Sequence, residues 1–294
     1  MIYIGTSGWS YPAGEGRWDG VFYPGDKKVD HLEFYARYFD AVEINSSFYR
    51  PISPNLARSW ARKVPDGFRF SAKLYQKFTH PTMFEAATGR AAELSPDDFE
   101  RFKAGLEPLA ESGKLGCLLA QFPPSFKQDD ESVTHLEELI RQFQDYPLAV
   151  ELRHRSWTDN PDTFRLLESS GVAWCAIDEP KFRTSVGEAP LTSRLGYFRF
   201  HGRNAKEWWT GDRETRYNYL YSPREVQSLA EEVREVASRT ENTFAFYNNH
   251  YGAKAVVNAL QMKLMLGQEV LEEVPPGLVE RYPELGAALQ EGDR

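Results

Sequence analysis

Eight short β-rich runs, each followed by a helical stretch or a long loop, constrain the folding of this 294-residue chain more than any other feature. They are IYIGTS at 2–7, AVEIN at 41–45, FRFSAK at 68–73, LGCLLAQF at 115–122, LAVELR at 148–153, AWCAID at 173–178, LGYFRFHG at 195–202 and NTFAFYNN at 242–249. Strands that alternate with helices indicate parallel βα units. Eight units close a (β/α)8 barrel, and the length suits one. An open doubly wound sheet would typically carry a Gly-rich phosphate loop after its first strand, and GTSGWS at 5–10 does not fit that pattern. The expected fold is α/β, a single (β/α)8 TIM barrel with a parallel eight-stranded core and long loops after strands 1, 3 and 7. The barrel is expected over residues 1–267. Residues 268–294 form an acidic tail, either packed on the barrel or partly disordered.

Helix starts are legible at Ser53-Pro54, at the Ser95-Pro96-Asp97-Asp98 cap, at Asn160-Pro161 and at the Ser222-Pro223-Arg224-Glu225 capping box. A helix is expected over about 30–39. A loop is expected over 74–94, and no full helix over 179–194.

Strand side chains alternate between faces. In a barrel the outer face packs under helices, and the inner face opens at the carboxyl end, where barrel enzymes keep their chemistry. Taking the polar face of each strand as inward gives one consistent ring. It holds Ser7; Glu43 and Asn45; Ser71 and Lys73; Gln121; Glu151 and Arg153; Asp178; Arg199, His201 and Arg203; Tyr247 and Asn249. The opposite parity holds Val42, Ile44, Phe70, Ala72, Leu118, Ala120, Val150, Leu152, Cys175, Ile177, Phe198 and Phe200, which helices would cover. A purely structural barrel fills this layer with branched apolar side chains. A ring this polar costs stability unless a ligand, water or mutual pairing satisfies it. A functional site is therefore expected.

The ring has a cationic half, Lys73, Arg153, Arg199, His201 and Arg203, suited to phosphate or carboxylate. Glu43, Glu151, Asp178 and His201 are the candidate catalytic acids and bases. Each acid matched to an arginine would instead be a permanently ionised structural partner. Trp9, Trp208 and Trp209, with neighbouring tyrosines, sit on loops after strands 1 and 7 and can overhang the mouth to stack a sugar or base. The expected ligand-binding set is Ser7, Trp9, Asn45, Lys73, Gln121, Arg153, Arg199, Arg203, Trp208, Tyr247 and Asn249. Arg199→Met is expected to abolish anion binding and leave the fold intact.

Glu43, Glu151, Asp178 and His201 also have the residue types of an oxygen-rich divalent site. With at least four cations in the same ring, a metal is the weaker alternative, and no cofactor is expected. The net charge is −8, and seven acids and two arginines lie after Gly267, so the body carries only −3. That balance disfavours a globally basic nucleic-acid binder. No run reaches the apolar length of a membrane span, and the N-terminus lacks the basic and apolar regions of a signal peptide. The expected location is the cytoplasm, with Cys117 and Cys175 reduced and buried.

Several ordered motifs resemble the YecE-like family, a domain of unknown function known as DUF72. They are IGTSGWSY at 4–11, FYP at 22–24, VEINSSFYR at 42–50, FRFSAK at 68–73, QFPPSF at 121–126, VELRHRSW at 150–157, YFRFHGRN at 197–204, RYNYLYS at 216–222 and YNNHYGAKAVVNA at 247–259. The resemblance implies a TIM barrel related to metal-dependent barrel nucleases and sugar isomerases, and it implies no established reaction. The leading expectation is an enzyme for a phosphorylated or otherwise anionic sugar- or nucleotide-type substrate, bound at the carboxyl mouth. The alternatives are a nucleic-acid-acting hydrolase similar to barrel endonucleases and a non-catalytic sensor of an anionic ligand.

Overall fold

In the computed structural model, eight parallel strands pair in chain order to form a closed barrel. The structure describes residues 1–25, 28–211, 213–270 and 272–286. The strands are β1 Ile2–Ser7, β2 Ala41–Ile44, β3 Arg69–Lys73, β4 Leu115–Gln121, β5 Leu148–Glu151, β6 Ala173–Asp178, β7 Leu195–Phe200 and β8 Asn242–Tyr247. β1 pairs with β8 from Ile2↔Thr243 to Thr6↔Tyr247, which closes the ring. No helix among the described residues is long and apolar enough to cross a membrane.

The caps read from sequence are present. Ser53 accepts a hydrogen bond from the Leu56 amide (3.3 Å) and Asn160 from the Asp162 amide (3.0 Å). Ser95 and Ser222 each head a capping box with Asp98 and Glu225. Residues 179–194 contain no helix. Two expectations change. The first helix is only His31–Tyr35, because after Asp30 caps it the chain leaves the helix at Ala36 in overlapping turns. The expected loop after β3 holds two short helices, Gln76–Thr79 and Pro81–Thr88. They meet at His80, whose non-helical backbone separates them just before proline.

The core has two layers. Inside the barrel, large side chains (Tyr3, Tyr197, Phe244, Phe246) face small ones (Ala41, Cys117, Ala149, Ala173, Cys175). Outside, Val42, Ile44, Phe70, Leu118, Val150, Leu152, Phe198 and Phe200 pack beneath the helices. Both thiols are free and buried, and burial pushes both thiols above the usual range.

This layering corrects the expected faces of β6 and β8. In register, Cys175 lies beside Tyr197, and Ile177 beside Arg199. So Ala173, Cys175 and Ile177 face the interior, where Tyr197, Phe244 and Phe246 leave room only for small or slim groups. Trp174 is too large for that space. It packs outward against Phe164, with ring centroids 5.6 Å apart, and Asp178 goes outward with it. On β8, Phe244 and Phe246 fill the interior, so Tyr247 joins the outer layer and Asn248, not Asn249, continues the inner face.

The described part of the tail packs on the barrel. Helix Pro276–Arg281 buries Leu278, and Tyr282 donates a hydrogen bond to the Gly252 carbonyl (2.6 Å).

Candidate functional site

The carboxyl mouth is built on a buried ionic hub. β1 and β8 separate β2 from β7 in the ring, yet Arg199 reaches Glu43 through two hydrogen bonds, Nε to Oε2 (3.0 Å) and Nη2 to Oε1 (2.7 Å). Its Nη1 donates to Glu151 Oε2 at 2.6 Å. Glu43 Oε2 also accepts from the Tyr197 hydroxyl at 2.7 Å. Arg153, just past β5, donates through Nε to Glu151 Oε1 at 2.6 Å. All four carboxylate oxygens of Glu43 and Glu151 are thereby engaged, and both residues are fully buried. Burial opposes the charge on Glu151, but Arg153, Arg199 and His201 outweigh it and hold the carboxyl well below the usual range. A carboxylate so held stays ionised, so Glu151 is not a proton donor at neutral pH.

Above the hub lies a cavity of about 450 Å³. Lys73, His80 and Gln121 line one side, with Arg153 and Arg199 on its floor and Arg216, Tyr217, Asn248 and His250 on the other side. Tyr11, Asn45, Phe48 and Tyr49 complete the wall. Tyr11 stacks on His250 with centroids 4.5 Å apart, and Tyr217 lies 5.4 Å from the same imidazole. A larger cleft, about 730 Å³, opens between residues 14–21 and Arg281, away from the strand ends.

Among the described residues, Lys73 has no carboxylate within salt-bridge distance. Its Nζ sits 4.0 Å from the Phe48 ring centroid. Desolvation, then the charge of Arg199, lowers the Lys73 pKa to about 7, despite Glu151 and Glu43. The cation–π contact acts in the other direction and favours the charged form. His80 is lowered to about 3 by burial and Lys73, and His250 to about 4 by burial. The cavity therefore presents neutral imidazoles.

His201 is fully buried and lies at the back of the hub. Its Nε2 is 3.0 Å from Arg153 Nη2, and its Nδ1 is 3.0 Å from the Asn248 side-chain amide. Arginine can only donate, so Nε2 accepts; the ring proton then belongs on Nδ1, which requires the Asn248 amide to turn its oxygen, not its nitrogen, toward the ring. Burial first, then Arg153, lowers its pKa to about 3. Below about pH 6.5 the unfolded chain takes up a proton that folded His201 refuses until about pH 3, so stability falls as pH drops through that window. By about pH 5 the loss from this residue is expected to reach about 2 kcal/mol. Urea unfolding of the wild type and His201→Asn at about pH 7 and pH 5 measures it, and the variant should lose less. Equal losses in both would show that His201 does not resist protonation.

The ring read from sequence assembles in part. Ser7, Glu43, Asn45, Lys73, Gln121, Glu151, Arg153, Arg199 and His201 surround the mouth, and Ser7 Oγ is buried with no hydrogen-bond partner among the described residues. Asp178 does not join them. It lies on the outer face of β6, where it accepts from Arg203 (2.7 Å to Nη2) and from the Tyr221 hydroxyl (2.7 Å). Arg203 is drawn away by that pair and by Glu225 (3.0 Å). The sharp turn at Gly202 (φ +88°), whose amide donates to the Tyr221 hydroxyl, sends Arg203 there. Asn249 bonds the Tyr219 carbonyl and Asn258, behind the mouth. Tyr247 lies in the outer layer. Trp9 packs edge-on against Trp60, 5.1 Å between centroids, and Trp208 is buried behind His201 and Tyr217. Exposed Trp209 leans on Phe182. The four residues weighed as metal ligands therefore do not form one set, and no three His, Cys, Asp or Glu side chains among the described residues gather to hold a metal ion.

Sequence reasoning missed His80, Arg216, Asn248 and His250 as cavity residues, and Glu179, whose carboxylate is buried 3.4 Å from Arg153 Nη1; Tyr217 does line the mouth, as one of the loop aromatics expected to overhang it. Asn248 carried a signal, since the doublet at 248–249 puts an amide on whichever face turns inward.

A parallel barrel with a charged carboxyl mouth is the class that the geometry defines, and comparison with known proteins places the chain within it. The family described as "Protein of unknown function DUF72" matches residues 3–279, and the chain belongs to that family. It is 32% identical to the UPF0759 protein YunF of Bacillus subtilis over 92% of this chain and 96% of that one. It is 30% identical to the UPF0759 protein YecE of Escherichia coli K12 over 52% and 49%. The crystal structure of a DUF72 family protein from Thermotoga maritima superposes with a TM-score of 0.78 at 38% identity, covering 91% of this chain and all of that one. One from Enterococcus faecalis gives 0.79 at 29% identity, covering 94% and 98%.

Proposed function

We propose that the mouth binds a small anionic substrate, a phosphorylated or otherwise anionic sugar- or nucleotide-type molecule, and that the chain acts on it as an enzyme. One observation carries the reading: among the described residues the cavity wall holds Lys73, Arg153, Arg199 and Arg216 and no carboxylate. Glu43 and Glu151 balance the charges of Arg199 and Arg153 from beneath the floor, and with every oxygen already bonded they do not compete for an anion's contacts. Arg216 Nε is buried without a hydrogen-bond partner among the described residues, the state of a donor awaiting an acceptor. Tyr11, Tyr217 and His250 supply flat faces for a sugar ring or base.

In this reading the acid–base work first assigned to Glu43, Glu151 and Asp178 passes to groups on the cavity wall. Lys73 is such a group, and the neutral imidazoles of His80 and His250 can accept hydrogen bonds beside it. Calorimetric titration with inorganic phosphate tests the site. Arg216→Met is expected to weaken phosphate binding by about tenfold, the scale of one lost charged hydrogen bond, with little change in unfolding midpoint. Unchanged affinity in Arg216→Met, or no binding to the wild type, would refute the proposed site.

A further inference from the structure

Lys63, Lys77, Lys103, Lys114 and Lys263 each hold a carboxylate, Lys28, Lys127, Lys181 and Lys206 are exposed to water, and Lys254 donates to the Asn218 side chain. Lys73, at the carboxyl end of β3, holds no carboxylate among the described residues, although two buried glutamates lie nearby. The arginines explain why. Arg199 and Arg153 engage all four oxygens of Glu43 and Glu151, and Arg153 also faces Glu179. The groups that act on Lys73 are thus Glu43 from β2, Glu151 and Arg153 from the β5 end, and Arg199 from β7; His80, before helix Pro81–Thr88, shares its wall. Its amine rests over the Phe48 ring, in a wall that also carries Tyr49, Met83, Pro123 and Pro124.

A lysine that serves only to hold an anion works best as a permanent ammonium, and the arginines beside it already fill that role. An amine without a counterion, crowded by cations and partly shielded by apolar walls, is placed as a nucleophile instead. We infer that Lys73 captures the carbonyl carbon of the substrate as an imine, which makes the substrate class an aldehyde or ketone that also bears an anionic group. This rests on the proposed anion site and specifies what it binds.

The step balances without an oxidant or reductant. The Nζ lone pair forms a C–N bond, and the carbonyl π pair moves to oxygen. A proton passes from nitrogen to that oxygen through pocket water to give the carbinolamine. The C–O bond then breaks as pocket water delivers a second proton to the leaving oxygen, the nitrogen lone pair closes the C=N bond, and the remaining N–H proton returns to the pocket water. Amine and carbonyl become imine and water. The amine's lowered pKa of about 7 supplies the neutral form in quantity at physiological pH.

Trapping tests the inference. The full-length protein is incubated with glycolaldehyde phosphate and sodium cyanoborohydride, and the secondary amine formed is located by peptide mass mapping. Unphosphorylated glycolaldehyde serves as the uncharged counterpart. The expected result is one adduct, on Lys73, formed about tenfold or more faster than at any surface lysine and faster with the phosphate ester. Its rate should rise with an inflection near pH 7, and Lys73→Met and Lys73→Arg should abolish it. Peptide mapping on the wild type keeps the test valid even if a variant fails to fold. If phosphate binds by calorimetry and Lys73 stays unmodified, the imine inference is overturned and the anion site stands. If Lys73 is trapped equally by both aldehydes and phosphate does not bind, the amine's role stands and the anion site is overturned. If neither occurs, both fail.

Discussion

Lys73→Met is expected to stabilise the folded protein by about 3 kcal/mol near pH 6 while weakening phosphate binding by tenfold or more. The two effects have opposite signs for one reason. In the unfolded chain lysine keeps its ordinary pKa of 10.5, whereas the folded site lowers it to about 7. Below about pH 7 both states carry the proton, and the folded state bears the full cost of a desolvated ammonium that no carboxylate among the described residues pairs. Between about pH 7 and 10.5 the unfolded chain keeps the proton that the folded site gives up, so the cost fades as pH rises. The gain from methionine should therefore be largest near pH 6 and vanish by about pH 11. Urea unfolding of both proteins at several pH values measures it. A Lys73 that merely plugs the barrel predicts the reverse, a methionine variant less stable at every pH. Stability gained as binding is lost marks a residue kept for function.

Arg199→Met is expected to destabilise the protein by about 3–5 kcal/mol, the cost of leaving a buried charge without its partner. The residue is 2% exposed and joins Glu43 to Glu151 across the barrel. Without it Glu43 keeps only the Tyr197 hydroxyl, and Glu151 keeps Arg153 and a distant His201. The sequence alone suggested the opposite, that the fold would survive, because one parity rule cannot show that a single guanidinium carries two glutamates. The double variant Glu43→Gln/Arg199→Met should recover about 1–2 kcal/mol, since the amide retains the Tyr197 contact without the charge. A double-mutant cycle in urea reads this directly. Wild-type stability in Arg199→Met would show that the hub is not structural.

The barrel was legible because its evidence is periodic. The outer faces of most strands are runs of apolar residues at spacing two, and the caps at Ser53, Ser95, Asn160 and Ser222 mark where helices begin. The hub residues were legible because Glu43, Glu151 and Arg199 sit near the carboxyl ends of their strands on unambiguous faces. β6 was misread because polarity was taken as the mark of the inner face. There the deciding factor is volume: Trp174 cannot enter an interior already filled by Tyr197 and Phe244, so Asp178 follows it outward. β8 was misread for the same reason: the polar ends Tyr247 and Asn249 were taken as the inner face, whereas Phe244 and Phe246 fill the interior.

The cavity wall was harder to read for a different reason. His80, Arg216 and His250 come from segments beyond the strands, and no strand period reports where a loop folds back. Lys73 was named from its parity. That it lacks a counterion depends on which acids the arginines claim, which is a property of the assembled hub and of no single segment.

The central claim is that the barrel mouth is an anion site, and a crystal of the protein soaked in tungstate tests it most directly. The anomalous signal of tungsten locates the ion without reference to shape. The account predicts a tungstate in the cavity, with oxygens on Lys73, Arg153 or Arg216 and the faces of Tyr11 and Tyr217 alongside. Tungstate confined to surface arginines such as Arg203 or Arg281, with the mouth holding only water, would contradict it.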